Sequence, residues 1–187
     1  QVMSLDYKTV ACSHITLSQL MLPSHSNFSG KIHGGYLLSL MDQIAFACGS
    51  KFSGKYCVTA SVDRVDFLSP IEVGELVTLN ASVNFVGTSS MVVGIRVEAQ
   101  NIQTGQIKHC NSSYFTMIAK DAETGKPVAV PRLVLRSKEE VMRYLKAAER
   151  IELRKQKPAS AEPFAGCLEQ AVCEIRQHYD AKVELVI

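Results

Sequence analysis

Residues 23–47 read PSHSNFSGKIHGGYLLSLMDQIAFA, a polar, glycine-containing loop that runs directly into an apolar helix pattern. The loop half is rich in serine and glycine, which favour turns. In the second half, apolar side chains recur at the three- and four-residue spacing of a buried helix face, namely at Tyr36, Leu37, Leu40, Met41, Ile44 and Ala47. The pattern predicts a helix from about Gly35 to Lys51, and the rest of the chain is interpreted around it.

One carboxylate, Asp42, interrupts this apolar helix. An aspartate has poor helix propensity, and burying it in an apolar interior is costly unless it has a partner. The residues alone leave two interpretations open: a structural aspartate bonded to a nearby hydroxyl or backbone group, and a general base or nucleophile. Gly34 and Asp42 are eight residues apart, which is about 12 Å along one helix, so one reacting carbonyl cannot easily touch both.

Strand-like alternation of apolar and polar residues occurs once before the helix and four times after it. The order of one strand, one long helix and an antiparallel meander predicts an α+β protein rather than an α/β protein. The predicted strands span residues 12–21, 56–67, 76–86, 91–101 and 107–119.

From Ser137 onward the sequence pattern becomes helical. Ser137 and Glu140 have the spacing of a capping box, and a charged helix is predicted from there to residue 157. A proline-containing linker at residues 158–163 follows. We expect a short amphipathic helix at residues 164–179 and a small strand at residues 182–187, and the pattern indicates no role for this tail.

Composition excludes several classes of protein. The chain has 187 residues, of which 47% are hydrophobic and 20% charged, and its net charge is +2, so no strong electrostatic attraction to nucleic acid or membrane is expected. The six cysteines form no CxxC pair, which argues against a disulfide framework and a zinc site. No apolar run approaches the ~18 residues of a membrane helix, and no signal-peptide pattern opens the chain. We therefore expect mostly buried thiols, no metal, no nucleic-acid partner, no membrane insertion and a cytoplasmic location.

The stretch from 23 to 47 resembles the signature of hotdog-fold acyl-CoA thioesterases, the cytosolic long-chain acyl-CoA hydrolases and their bacterial relatives. The resemblance continues through VTASVDRVDFLSPIEVGE at residues 58–75 and covers about residues 17–133. The matching signature positions are Pro23, Asn27, Gly30, His33, Gly34, Gly35, Met41 and Asp42.

This resemblance implies a hotdog fold, in which an antiparallel sheet wraps around one long central helix. It implies a thioesterase domain over residues 1–133. The charged helix at 134–157 forms a C-terminal helical extension, and residues 158–187 form a linker and tail of unknown role.

The resemblance also implies hydrolysis of acyl-CoA to free fatty acid and CoA. Asp42 would act as general base or nucleophile, and Asn27 would polarise the thioester carbonyl or orient water. Backbone amides at the helix start, in His33, Gly34 and Gly35, would stabilise the developing oxyanion. For the ring of His33 we favour a structural role.

Coenzyme A would be a product of the reaction rather than a cofactor, and no cofactor is expected. The family uses the region of the turn formed by Gly87, Thr88, Ser89 and Ser90 near CoA, and Arg64 is a candidate phosphate contact. Arg96 and the basic end of the charged helix, at residues 150–157, are further candidates. The family expectation for assembly is a dimer with active sites shared between protomers, with three dimers forming a hexamer.

Two other functions on the same fold compete with hydrolysis. A non-catalytic acyl-CoA sensor would carry a basic DNA-binding module, and no such module precedes residue 12. A hotdog enoyl-CoA hydratase would carry an aspartate five residues before its histidine, a position that is Phe28 here. The hydratase interpretation therefore lacks its acid.

Overall fold

The predicted helix packs against one face of a five-stranded antiparallel sheet. It spans Gly34–Ser53 and is labelled α1. At its start, Nδ1 of His33 accepts a hydrogen bond from the Gly35 amide at 3.0 Å. At its end, Gly54 adopts the left-handed conformation (φ 67°) that terminates many helices. The sequence pattern therefore placed this helix correctly, to within two residues at its C-terminal end.

Only part of the predicted meander forms: the three strands predicted from residue 76 to residue 119 pair in sequence order, but the strand predicted from residue 56 lies at the far edge of the sheet, beside the last of them. Within the described residues the five-stranded sheet has the order β2-β4-β5-β6-β3, and all its neighbours are antiparallel. A separate pair, β1 and β7, is parallel. The strands are β1 (Tyr7–Thr9), β2 (Ile15–Leu20), β3 (Tyr56–Val62), β4 (Glu75–Val86), β5 (Ser90–Asn101), β6 (Ile107–Lys120) and β7 (Arg132–Val134).

The hydrophobic core lies between α1 and the inner face of this sheet. Along β4, residues at alternate positions are buried, because successive side chains of a strand point to opposite faces. Each large apolar side chain removed from water contributes about 1.5–3 kcal/mol to folding. Burial of these side chains therefore determines which side of α1 is left outside the core. The largest fully buried side chains include Phe52, Phe115, Met21, Met41, Ile44, Leu79, Met91 and Met117.

The strand predicted over residues 56–67 is too long. β3 ends at Val62, after a register shift between Thr59 and Ser61. The following residues stay beside β6 through isolated bonds, such as Leu68 N–H to the Cys110 carbonyl at 2.9 Å, and do not form a ladder. Apolar alternation continues through this segment although the regular pairing does not.

The computed structural model describes residues 6–156, 168–178 and 180–184. They fall into two compact units, one up to Ala148 and one from Glu149 onward. Every predicted site residue in the signature stretch, and every one in the predicted CoA-binding region at residues 64 and 87–90, lies in the first unit.

A second helix, α2, spans Lys138–Gln156. The hydroxyl of Ser137 accepts a hydrogen bond from the Glu140 amide at 3.1 Å. The Glu140 carboxylate accepts from the Arg136 amide instead of the Ser137 amide. Only half of the predicted capping box therefore forms.

The tail contains a third helix, α3, at Leu168–His178. Residues 180–184 form no strand, so the strand predicted over 182–187 is wrong for its described part. Residues 185–187 and the predicted linker at 158–163 lie outside the described residues.

The cysteines agree with the expectation of mostly buried thiols, since three of the five described ones are buried. All five are free: Cys48, Cys57 and Cys110 are buried, and Cys12 and Cys173 are exposed. Cys167 lies outside the described residues. Among the described residues, no helix combines the length and apolarity needed to cross a bilayer. The same residues hold no cluster of three or more His, Cys, Asp or Glu side chains arranged for a metal ion.

Candidate active site

Asp42 lies on the exposed side of α1. With 3.6 residues per turn, Met41 points into the core, whereas Asp42 shares its side of the helix with Leu38 and Phe46, which are also exposed. The hydroxyl of Thr59 in β3 donates a hydrogen bond to Asp42 Oδ1 at 2.6 Å. Asp42 is therefore exposed in the single chain rather than buried, and it has a hydroxyl as its partner.

An open groove of about 570 Å³ runs beside this pair. Its apolar walls include Phe46, Tyr56 and Val58, and the two aromatic rings meet edge to face with centroids 5.6 Å apart. Among the described residues that line the groove, Asp42 is the one carboxylate. Strand β3 is an edge of the sheet, so its outer backbone groups have no strand partner within the described chain.

Asn27 lies in the exposed loop before α1. Its side-chain oxygen accepts three hydrogen bonds: from the Ser29 amide at 2.9 Å, the Ser29 hydroxyl at 2.7 Å and the Lys31 amide at 3.1 Å. Gly30 completes this loop in the left-handed region, at φ 77°. Because amide donors fix which side-chain atom is the oxygen, Nδ2 must point away from them. Nδ2 has no acceptor in the described part of the chain and remains available as a donor.

Backbone amides at the start of α1 are mostly occupied. The His33 amide donates to the His25 carbonyl at 2.8 Å, and the Gly35 amide donates to the His33 ring. The Gly34 amide has no acceptor among the described residues. A Cβ at Gly35 would lie 3.1 Å from the His33 ring, so the cap favours glycine there. Of the three predicted oxyanion donors, the structure therefore leaves one free, at Gly34.

The predicted CoA-binding turn connects β4 to β5. The Gly87 amide donates to the Ser90 carbonyl at 2.8 Å, and a Cβ at Gly87 would lie 2.6 Å from the Ser90 hydroxyl. Side-chain hydroxyls of Thr88, Ser89 and Ser90 have no partner among the described residues. The guanidinium of Arg132 donates to the Thr88 carbonyl at 3.3 Å and brings a cation to the turn.

Arg64 lies elsewhere, on the irregular segment after β3. Its Nε is 2.8 Å from a carboxylate oxygen of Asp66, and its side chain is 85% exposed. No hydrogen bond links it to the turn at 87–90 within the described residues.

Comparison with known proteins identifies the family. The family model described as Thioesterase superfamily matches residues 29–106. The uncharacterized acyl-CoA thioester hydrolase YkhA of Bacillus subtilis is 35% identical over 156 residues, which are 83% of this chain and 90% of that protein. The chain belongs to the hotdog-fold acyl-CoA thioesterase family. Protein VdlD of Helicobacter pylori is 44% identical over 140 residues, covering 75% of this chain and 79% of VdlD.

Solved structures of this thioesterase family match the fold. An apo-hexameric acyl-CoA thioesterase superposes with a TM-score of 0.80 at 37% identity, covering 83% of this chain and 99% of that one. The Staphylococcus aureus acyl-CoA hydrolase, in complex with butyryl-CoA, CoA and CoA disulfide, has a TM-score of 0.76 at 30% identity, covering 91% and 99%. These matches confirm the predicted hotdog fold.

Variants of the Staphylococcus aureus enzyme have also been solved, with an aspartate, a threonine or an asparagine replaced by alanine. In that enzyme's numbering, each of these three positions is one higher than Asp42, Thr59 and Asn27, respectively.

In this thioesterase chain the predicted catalytic and oxyanion residues form two groups. Asp42 stands with Thr59 in the middle of α1. The free Gly34 amide lies at the helix start, about 12 Å from Asp42 along the helix, and Asn27 lies in the loop before it. Thr59 and Arg132 were both missed by the sequence reasoning. Thr59 lies in the signature run at residues 58–75, but the apolar alternation of Val58, Ala60 and Val62 would have placed it on the opposite face, away from the helix.

Proposed function

We propose that the protein hydrolyses acyl-CoA thioesters to a free fatty acid and CoA. The observation that carries the proposal is the Asp42 carboxylate, which the Thr59 hydroxyl holds at 2.6 Å beside an apolar groove. One carboxylate oxygen is bound by the hydroxyl, so the other is available to water or to the thioester carbon. The groove offers apolar surface to the acyl chain.

In the proposed reaction, Asp42 removes a proton from water as the water oxygen attacks the thioester carbonyl. The carbonyl oxygen becomes an oxyanion, and the carbon–sulfur bond breaks when the tetrahedral intermediate collapses. The CoA thiolate then takes the proton from Asp42. Direct attack by the carboxylate, forming an anhydride that water opens, gives the same products.

The donors for the oxyanion are proposed to come from a second protomer. The Gly34 amide is a free donor at the helix start, but it is about 12 Å from Asp42 along the same helix. The Asn27 Nδ2 group is a second free donor, in the loop that leads into this helix. A twofold dimer would place the helix start of one chain against Asp42 of the other and create two equivalent sites. The open edge of β3 and the exposed Leu38 and Tyr56 side chains support such an interface. The hexameric relative supports a trimer of dimers.

The CoA moiety is proposed to bind at the turn between β4 and β5. Thr88, Ser89 and Ser90 offer hydroxyl donors, and Arg132 adds a cation that suits a phosphate. Arg64 stays a candidate contact, although its ion pair with Asp66 would have to open. The CoA complexes of the Staphylococcus aureus enzyme support CoA as the ligand. No further cofactor is part of the proposal.

Residues 1–133 are proposed to be the thioesterase domain, with the helix at 134–157 and the tail at 158–187 as additions to it. We also propose a cytoplasmic location. The free state of all five described cysteines supports a reducing compartment.

Replacing Asp42 by asparagine tests the proposal. Asp42→Asn should lower kcat for palmitoyl-CoA by about 10²–10⁴-fold, the usual cost of losing a general base. The matched control is Asp121→Asn, which removes a carboxylate from an exposed turn after β6, and it should keep wild-type kcat. If Asp42→Asn kept more than a tenth of wild-type kcat, Asp42 would not be the catalytic carboxylate.

The readout has to allow for the protein's own thiols. Burial raises the pKa of Cys48 to about 12 and keeps it unreactive, whereas the Thr9 hydroxyl lowers the pKa of the exposed Cys12. Cys12 would therefore react with a thiol reagent, so loss of the thioester absorbance is the preferred signal. Saturable binding of acyl-CoA with no turnover in the wild-type protein would favour the sensor instead.

A further inference from the structure

The irregular segment at residues 63–70 passes beside the start of α1. A Cβ on Gly34 would lie 3.4 Å from Cζ and 3.5 Å from Cε2 of Phe67, which is the distance of ordinary van der Waals contact. The Phe67 ring therefore flanks this glycine. Since the Gly34 amide is the one predicted oxyanion donor left free, the ring lies beside the donor that the proposed reaction needs.

Phe67 is only partly covered by the rest of the chain. Its side chain is 49% exposed, whereas large apolar side chains stabilise a fold mainly through burial. Part of the ring thus flanks the helix start, and part of it stays open. A half-exposed aromatic ring next to a free backbone donor is complementary to a ligand that carries a hydrogen-bond acceptor with apolar neighbours.

Asn111 of β6 holds the backbone directly before this ring. Its Nδ2 donates a hydrogen bond to the Asp66 carbonyl at 2.7 Å. After the ring, the Leu68 amide donates to the Cys110 carbonyl at 2.9 Å. The backbone is therefore tied to β6 on both sides of Phe67, although the segment forms no regular ladder.

Asn111 takes this position at an irregularity in β6. The register of β6 against β5 shifts between Asn111 and His109, so Cys110 is the extra residue of a bulge. Bulges re-aim side chains and are common next to active sites. Asn111 is 2% exposed, and its Oδ1 accepts a hydrogen bond from the hydroxyl of the fully buried Ser113. A buried amide that is bonded through both of its ends favours one fixed arrangement of its partners.

We propose that Phe67 forms a wall of the active site, where its ring contacts the thioester and keeps water away from the Gly34 amide. This inference rests on the proposed hydrolysis. With the carbonyl oxygen on the Gly34 amide, the sulfur and the first acyl carbon, which are both bonded to the carbonyl carbon, come close to the ring. Sulfur and methylene groups both pack favourably on an aromatic ring. Asn111 is a positioning residue, because it acts through the backbone that carries Phe67.

Exclusion of water at this donor acts mainly on the transition state. The carbonyl oxygen gains its negative charge only as the nucleophile attacks, and a donor stabilises that charge more strongly where water does not screen it. An interaction that is stronger in the transition state than in the bound substrate raises kcat. Loss of the ring should therefore lower kcat and change KM little.

The test is steady-state hydrolysis of acyl-CoA by three variants of the full-length protein, followed by the loss of thioester absorbance. Phe67→Ala should lower kcat about tenfold, which is less than the cost of about 10²–10³-fold for removing an oxyanion donor itself, and KM should change less than about threefold. Phe67→Leu keeps a large apolar side chain and should retain most of kcat. Leu68→Ala is the matched control, since Leu68 is 63% exposed and does not flank Gly34, and it should keep wild-type kcat.

Different results would overturn this role of Phe67. Wild-type kcat in Phe67→Ala would show that the ring shields nothing, and a rise in KM alone would show that it contributes only to substrate binding. An equal loss of kcat in Phe67→Ala and Leu68→Ala, or a changed oligomeric state in light scattering, would assign the ring to folding or assembly.

The proposed hydrolysis is judged separately, by wild-type turnover and by Asp42→Asn. If the wild-type protein is active and Asp42→Asn is not, hydrolysis stands whatever the Phe67 variants show. If the wild-type protein turns over no acyl-CoA, the role of Phe67 fails together with the proposed function.

Discussion

The start and the middle of α1 carry opposite chemistry. At the start, Asn27 and Gly34 offer hydrogen-bond donors, and the described residues provide no carboxylate that bonds to them. In the middle, Asp42 offers a carboxylate whose one described partner is the Thr59 hydroxyl. Thioester hydrolysis needs both kinds of group at one carbonyl. A rigid helix keeps the Gly34 amide about 12 Å from Asp42 within a chain, and for this reason we propose that each protomer carries two halves of different sites.

Mixing two inactive variants would test whether one active site takes its groups from two protomers. Asn27→Ala and Asp42→Asn should each reduce activity at least 100-fold as homo-oligomers. When the two are co-expressed, random assortment makes about half of all dimers mixed, and each mixed dimer has one intact site. About a quarter of wild-type activity should therefore return.

Two controls make that experiment decisive. Mass spectrometry must detect mixed dimers, and mixing separately purified homo-oligomers without subunit exchange must give no recovery. If confirmed mixed dimers are no more active than either parent, the site lies within one chain and the division of α1 into two half-sites is wrong.

Variants of Thr59 test whether its hydrogen bond positions the Asp42 carboxylate. Thr59→Val keeps the branched shape but removes the hydrogen bond to the carboxylate. A hydrogen bond to a charged group contributes about 1.5–3 kcal/mol, so kcat should fall by roughly 10- to 150-fold while KM changes little. Thr59→Ser keeps the hydroxyl and should retain most of the activity. A Thr59→Val enzyme with unchanged kcat would show that Asp42 needs no help in positioning.

The sequence predicted the helix better than the surroundings of its carboxylate. The apolar spacing around Met41 determines one side of α1, because burial dominates its energetics. That spacing also implies the exposed side, yet Asp42 was interpreted as a residue inside an apolar helix. Its partner, Thr59, is 17 residues away in β3. Such a contact depends on the pairing of strand and helix and has no local signal.

Other details depended on which acceptor each backbone amide bonds to and on where the strand pairing ends. The helix start predicted a set of free amides, but the ring of His33 occupies the Gly35 amide. Likewise, apolar alternation through Phe67 predicted a longer β3, whereas regular pairing stops at Val62. The bulge at Asn84 is similar, because the extra residue reverses the alternation only for Phe85 and Val86, the last two residues of β4. These features arise from side-chain and ladder bonds that periodicity does not report.

The smallest expected effect separates a structural from a chemical role at the helix start. The His33 ring caps the Gly35 amide, and losing a side-chain cap typically costs about 0.5–2 kcal/mol. For a domain of this size, a loss of about 1 kcal/mol lowers Tm by roughly 2–4 °C. His33→Ala should show that shift in thermal unfolding, and His33→Asn, which restores a capping oxygen, should recover much of it.

Activity provides the second half of this comparison. If His33 only shapes the loop and helix start, kcat of His33→Ala measured well below its Tm should stay within tenfold of wild type, and His33→Asn should be closer still. If His33 were the base, both variants would lose activity equally, because neither side chain can take up a proton near neutral pH. An equal and large loss in both variants, with Tm restored in His33→Asn alone, would move the reacting base from the middle of α1 to its start.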